Sequence, residues 1–280
     1  MSQGKNRNKP LARDVPATYF DLQAYWGVTK HMGGRRATDE LIEMCRIDSG
    51  SFVLEVGCGV GVTTSILSNR IGCRVVALDR NLMMLSRARD RVRRRGNNER
   101  VVFVCAEAEC LPFRECIFDA VISESVTTFA LERGEAIMEY ARVTVSGGRV
   151  GINEEVWHEP PTESMESYVG DVLEIPPGIP EVDGWVELFR NAGLSDIIIS
   201  PRRFTAFSQF SAELGRYGPV DYLRTLGRFV ALIMRNRKFR RHLIHTMLRS
   251  IPPGLLRRLG YGLFVGVKGG NTPGKREGDA

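Results

Sequence analysis

Residues 53–61 read Val-Leu-Glu-Val-Gly-Cys-Gly-Val-Gly, and a second apolar run, Arg74 to Leu78, ends on Asp79, eighteen residues after Gly61. An apolar stretch that runs straight into closely spaced glycines predicts a buried strand feeding a tight turn. Val60 to Arg70 predicts the helix that follows. Glycine suits such a turn because a side chain would hold a ligand away from the backbone. A carboxylate at the end of the second strand stands where it can accept hydrogen bonds from a ribose diol. The pairing of glycine turn and Asp79 predicts a site for a nucleoside-bearing cofactor.

The dinucleotide fingerprint is G-x-G-x-x-G/A; here Gly57, Gly59 and Gly61 give G-x-G-x-G, with the acid Glu55 inside the preceding strand. This stretch resembles the first motif, E/D-x-G-x-G-x-G, of the class I S-adenosylmethionine-dependent methyltransferases. The resemblance implies that Glu55 helps hold the glycine loop and the ammonium end of the methionine. It also implies that Gly57, Cys58, Gly59 and Gly61 lie against the carboxypropyl arm, and that Asp79 takes the ribose hydroxyls with Arg80 beside it.

Further matches extend the resemblance over about residues 35–200 and the last strand. Val101 to Cys105 is a third strand, followed by Ala106-Glu107-Ala108-Glu109-Cys110-Leu111-Pro112-Phe113, which is similar to the family's G-D-A-E-x-L-P-F. Glu107 replaces the usual Asp and Ala106 the usual Gly. By resemblance, Glu107 holds the adenine amino group and the amide of Ala108 meets the ring. Phe118 to Ser123 resembles the fourth strand. Arg142-Val-Thr-Val-Ser-Gly-Gly148 resembles the turn into the fifth, without its usual Lys-Pro. The branch that includes menaquinone, tocopherol and sterol methyltransferases is the most similar. The implied cofactor is S-adenosylmethionine, leaving as S-adenosylhomocysteine, with no metal, and the implied acceptor is a small molecule, quinone or lipid.

Strands are expected at 52–56, 74–78, 101–105, 118–122, 149–153, 195–199 and 262–268, and helices at 60–70, 82–95 and 131–144. Such alternation predicts an α/β fold with helices on both faces of a parallel sheet. By resemblance this is a Rossmann-like, seven-stranded, mostly parallel sheet with a helical insertion between its last two strands. The expected organisation is an N-terminal arm and cap over 1–34, a cofactor-binding core over 35–200, a basic helical lid over 201–260, and a final strand and disordered tail over 261–280. Residues 158–180, rich in Pro and acid, read as an irregular insertion.

The chain's 280 residues allow one sizeable core with an appended element. Met1 to Pro10 is polar, without the apolar segment of a signal peptide, and no apolar run approaches the roughly 20 residues that span a bilayer. The six cysteines show no C-x-x-C spacing. A reduced cytoplasmic protein is therefore expected. Its net charge of +6 divides sharply: residues 201–268 hold 14 Lys/Arg against 2 Asp/Glu, whereas residues 151–200 hold 1 Arg against 11 acids. Pairing between the two segments accounts for part of this pattern. The basic segment also suits an anionic membrane surface reached peripherally. An RNA methyltransferase that follows phosphates with its lid is the alternative function.

Ligands of open α/β sheets bind beyond the carboxyl ends of the strands. That rule gathers the glycine loop, Asp79, Glu107, Ser123-Glu124-Ser125 and Asn153-Glu154-Glu155 on one rim. A sulfonium methyl is already electrophilic, so positioning of the nucleophile is the main task, and a base is needed only where that nucleophile carries a proton. Glu124 and Glu154 are the candidate bases, with His31 a third; an acid that caps a helix or is merely solvated is the competing reading. Tyr25 and Ser123 join the cofactor set, and Tyr19, Tyr25 and Trp26 form an aromatic cap. The fourth motif lacks D/N-P-P-Y/F, which argues against adenine N6 or glutamine as acceptor.

Overall fold

The computed structural model describes residue 23 and residues 31–96, 98–203, 226–231, 233–234, 237, 240 and 249–269. Phe52–Val56 (β1) and Arg74–Leu78 (β2) are β-rich apolar runs buried on both faces, as central parallel strands are. Val101–Val104 (β3), Phe118–Glu124 (β4) and Thr144–Trp157 (β5) complete the parallel part; Leu194–Arg203 (β6) and Leu259–Lys268 (β7) end the sheet. The order is β3-β2-β1-β4-β5-β7-β6, with β7 antiparallel to both β5 and β6. Strand order reverses between β1 and β4, which opens a crevice at their carboxyl ends.

Helices cover both faces. Gly34–Met44 (α1), Val62–Ser65 (α2) and Leu82–Arg94 (α3) bury Leu41, Ile42, Val62, Met84 and Ala88 against Val53, Val75 and Ile122. Arg133–Val143 (α4) and Val182–Asn191 (α6) bury Tyr140, Trp185 and Phe189 against Leu54, Val121 and Ile152. Burying a large apolar side chain contributes about 1.5–3 kcal/mol, so these two layers dominate stability. Asn81 caps α3 by accepting from the amides of Met83 (2.9 Å) and Met84 (3.2 Å).

Two local expectations are corrected. The helix expected over 60–70 is regular only at α2 and continues as a π-helical turn, Ile66–Ile71, stopped by Gly72 at φ 85°. Ser65 and Ser68 donate back to the carbonyls of Gly61 and Thr64, each at 2.8 Å, local bonds of a kind that bends helices. The stretch 158–180 is not wholly irregular: Glu163–Leu173 forms a helix (α5). Its Met165, Val169 and Val172 repeat at helical spacing and are buried. Met165 and Val169 pack with Trp157, Ile175, Ile179, Leu255 and Leu259 in a small separate cluster. Leu255 belongs to the short helix Leu255–Arg258 (α7) that leads into β7.

Most of the basic segment lies outside the described residues; those described between 226 and 240 are helical. The acidic and basic segments do pair where both are described: Arg249 meets Asp171 at 2.5 Å, and Glu159 faces Arg203, Arg257 and Arg258 at 3.7, 3.4 and 3.7 Å. Among the described residues no helix is long and apolar enough to cross a membrane.

Candidate functional site at the carboxyl rim of the sheet

The loop after β1 is built on left-handed glycines: Gly57, Gly59 and Gly61 have φ of 72°, 52° and 76°. Packing adds a second requirement at two of them. A Cβ on Gly57 would collide with the side chain of Val126, and one on Gly61 would lie 2.8 Å from the Cα of Ala88 on α3. The amide of Cys58 donates to Leu78 O at 2.8 Å, locking the loop to the end of β2. The Cys58 side chain is buried, and burial pushes its thiol well up.

Asp79 fastens the same loop. One carboxylate oxygen accepts from the amide of Gly59 at 2.8 Å and the other from the amide of Asn81 at 2.8 Å. Burial raises its pKa above the ordinary carboxylate value, opposed by these two amides and by Arg80. Glu55 lies beneath the loop, accepts from Thr64 Oγ1 at 2.6 Å, and is pushed up to about 8, chiefly by burial. Glu107 and Arg80 stand exposed at the rim, 3.6 Å apart. Ala108 is buried, and Ser123 is buried with its hydroxyl 3.3 Å from Thr127 Oγ1.

Glu124, at the end of β4, collects partners from four parts of the chain. Its Oε1 accepts from Thr63 Oγ1 at 2.9 Å, and its Oε2 from Thr38 Oγ1 at 3.0 Å. Asn153 Nδ2 approaches Oε2 at 3.5 Å, and His31 Nδ1 stands 3.6 Å from that oxygen. The other ring nitrogen of His31 is 3.1 Å from Thr38 Oγ1, while Nδ1 also meets Met32 O at 3.2 Å. His31 and Glu124 are thereby brought together. Asn153 stood on the rim by the strand-end rule but without an assigned role, and Thr38 and Thr63 were absent from the sequence-based set. Thr63 had a signal in its place two residues after Gly61; Thr38 had none, because its contact bridges distant segments.

Glu154 points to the other face of the sheet. Its Oε1 accepts from the amides of Val126 (3.2 Å) and Thr127 (3.0 Å), and its Oε2 from that of Thr128 (3.0 Å). Instead of lining the rim beside Glu124, it holds the 3-10 turn Thr127–Phe129. Burial pushes Glu154 up to about 8, helped by the adjacent Glu155, which burial pushes up to about 7. Tyr25, with Tyr19 and Trp26, lies outside the described residues.

The sequence profile of a family described as "Methyltransferase domain" matches residues 54–152, from β1 into β5. Methyltransferase GfsG of Streptomyces halstedii is 32% identical over 165 residues, covering 58% of this chain and 59% of that protein. The match thus spans less than two thirds of that relative. Among solved structures, Haemonchus contortus phosphoethanolamine N-methyltransferase 2 in complex with S-adenosyl-L-methionine superposes with a TM-score of 0.63 at 19% identity, covering 90% of this chain and 58% of that one. The [4+2]-cyclase SpnF superposes with a TM-score of 0.66 at 22% identity, covering 84% and 81%. These two likenesses establish the shared fold. The profile match lies across the glycine loop, Asp79 and the β4 rim, so residues 54–152 carry a methyltransferase domain.

Proposed function

We propose that this chain transfers the methyl group of S-adenosylmethionine to a small-molecule, quinone or lipid acceptor, with Glu124 as the proton acceptor. The observation that carries the reading is that Asp79 and Glu124 engage the same loop–helix unit: Asp79 at the amide of Gly59, Glu124 at the hydroxyl of Thr63. The donor set fits the cofactor. A carboxylate offers about four lone-pair sites, and each Asp79 oxygen uses one on an amide, which leaves capacity for sugar hydroxyls. Gly57, Cys58, Gly59 and Gly61 would bear the methionine arm, with Glu55 beneath them, and Glu107, Arg80 and Ala108 would stand by the adenine.

When bound, the cofactor supplies a methyl on sulfonium sulfur, and the carbon–sulfur bond breaks with its electron pair left on sulfur. The chain's own residues orient the acceptor and take its proton. Thr38 and Thr63 fix the Glu124 carboxylate by donating to it, and His31, with both ring nitrogens partnered, steadies Thr38. Glu154, tied by three amides, holds the turn that follows β4.

SpnF is a cyclase on this fold, so binding and transfer need separate tests. Isothermal titration with S-adenosylmethionine and S-adenosylhomocysteine is expected to show binding of both; no heat from either overturns the proposal. A labelled-methyl assay against metabolite and lipid extracts, with mass spectrometry of the product, then identifies the acceptor, and binding without any labelled product leaves only a cofactor-binding protein. An RNA acceptor rests on the charge of residues 201–268 alone, and no feature of the rim adds to it.

Peripheral contact with an anionic membrane is part of the same proposal. Leu226, Val230 and Met234, four residues apart in helical backbone, are 46%, 51% and 74% exposed within this basic segment. Such a face suits insertion at a lipid interface. Co-sedimentation is expected with phosphatidylserine vesicles and not with phosphatidylcholine vesicles; equal recovery with both rules the contact out.

A further inference from the structure

Strand β6 is a free edge of the sheet. One side of it pairs with β7, and among the described residues no strand pairs with the other. It runs for 10 residues, and Ile198 and Ile199 in its middle are 51% and 38% exposed. A long edge strand with exposed apolar side chains is a template for pairing with another chain, and natural proteins guard such edges with bulges, prolines and charges. Here the guards stand only towards the ends. A bulge lies between Ser195 and Ile198, with Asp196 at φ 47°, and Pro201, Arg202 and Arg203 close the strand. The stretch from Ile198 to Ser200 has none.

Pro201 and Arg202 show which backbone groups face outward. Pro201 lies in the ladder opposite Gly262 and has no N–H to donate, as suits a residue whose polar side is turned away from the sheet. The next carbonyl, that of Arg202, points at β7, so close to Gly260 that a Cβ there would collide with it. Hydrogen-bonding sides alternate along an antiparallel strand. Ile199 lies two residues before Pro201, within the unbroken part of the register and opposite Phe264. Its N–H and C=O therefore both face outward. They are a donor and an acceptor that a second copy of the chain, running antiparallel, satisfies with its own Ile199.

Charge selects the register. Pairing about Ile199 brings Asp196 of each copy against Arg202 of the other, once on either side of the two-fold axis. Shifting one strand by two residues still pairs outward groups but separates these charges. Opposite charges across a strand pair stabilise it, and like charges do the reverse. Arg202 is free to take part: its Nη2 donates to both oxygens of Glu40 at 2.9 and 3.1 Å, and a guanidinium carries five donors. At the axis the two Ile199 side chains lie side by side, and on the opposite face the two Ile198 side chains meet diagonally. Both contacts withdraw apolar surface from water.

We propose that β6 is a self-association edge: two copies of this chain pair their β6 strands antiparallel about Ile199 and join two seven-stranded sheets into one. A strand pair of this length belongs with small, reversible interfaces, those below about 1,200 Å². In the sheet order β5 and β7 stand between β6 and β4, so the crevice between β1 and β4 stays open in both copies. The proposal is therefore independent of the methyl-transfer reading.

The test uses the full chain without ligand. Sedimentation velocity over roughly 5–500 µM, a range that spans weak, small interfaces, is expected to show a monomer–dimer equilibrium. Amide exchange of 15N-labelled protein is expected to slow about fivefold or more at Ile199 between the two ends of that range. The amide of Ile198, which faces β7, is expected to exchange at one rate throughout. Ile199→Lys sets two cations on the axis and is expected to weaken the dimer about tenfold or more. Asp196→Asn keeps a residue that tolerates left-handed backbone and is expected to weaken it about twofold or more. The proposal is overturned if the chain is monomeric throughout, if it dimerises without slowing exchange at Ile199, or if Ile199→Lys dimerises as the wild type does. An unchanged dimer constant in Asp196→Asn overturns the register. Should Ile199→Lys fail to fold, exchange at Ile199 in the wild type decides alone.

Discussion

The carboxylate of Asp79 accepts a hydrogen bond from the amide of Gly59 at 2.8 Å, so one residue both shapes the glycine loop and faces the proposed ribose position. Strand β2 thereby sets the conformation of the loop after β1, and the cofactor would meet a seat already formed.

Asp79→Ala removes two accepted amide bonds together with the proposed sugar contacts. A hydrogen bond to a charged group contributes about 1.5–3 kcal/mol. S-adenosylhomocysteine affinity is therefore expected to fall by roughly ten- to a hundredfold. Isothermal titration measures this, and unchanged affinity would remove Asp79 from the cofactor site.

Glu124→Gln keeps the size of the side chain and discards its basicity. A positioned base contributes about 10²–10⁴-fold. Once a substrate is in hand, kcat is expected to drop by about a hundredfold or more, with cofactor affinity unchanged. His31→Asn is expected to give a smaller loss, acting through Glu124. If Glu124→Gln turns over at the wild-type rate across the pH range, the proton leaves by another route.

Glu154→Ala strands the amides of Val126, Thr127 and Thr128, which now share its carboxylate. Unmet buried donors cost about 1–3 kcal/mol each where water cannot reach them. A loss on the order of 3 kcal/mol in urea unfolding is expected. Destabilisation below about 0.5 kcal/mol, the level of ordinary surface substitutions, contradicts the structural role.

Gly61→Ala places a Cβ 2.8 Å from both the Cα and the Cβ of Ala88, at a backbone φ of 76°. Overpacking and left-handed strain together are expected to destabilise by about 2–4 kcal/mol. The thermal midpoint reports it; a midpoint equal to wild type means that α3 can yield.

Burial pushes Glu55 up from 4.5 to about 8, so the folded state holds its proton more tightly than the unfolded chain does. The stability from this group is full below the unfolded value, near 4.5, and is lost as pH rises through about 8. Urea midpoints of the wild type should therefore decline over that window, and those of Glu55→Gln should decline less. Parallel profiles for the two proteins would exclude Glu55 as the titrating group.

The central strands were legible because burial on both faces demands continuous apolar runs, and β1 and β2 have the bounds their sequences predict. Helix α5 was not, because the prolines and acids on either side of it dominate the composition and mask the helical spacing of Met165, Val169 and Val172. Asp79 could be placed next to the glycine loop from spacing alone. The surroundings of Glu124 could not, since His31, Thr38, Thr63 and Asn153 converge on it only after α1 and β5 have docked. Glu124 and Glu154 look alike in the sequence as acids after neighbouring strands. The pleat separates them, one facing a cluster of hydroxyls and the other a bare turn.

Trp157, Met165 and Leu255 belong to a cluster separate from the two layers that clad the sheet. Cooperative units with few ties to the main body can open at lower free energy than the whole. The α5 region can therefore open, or vary in sequence, at less cost than the two layers beneath it, while the loop held by Asp79 keeps its shape.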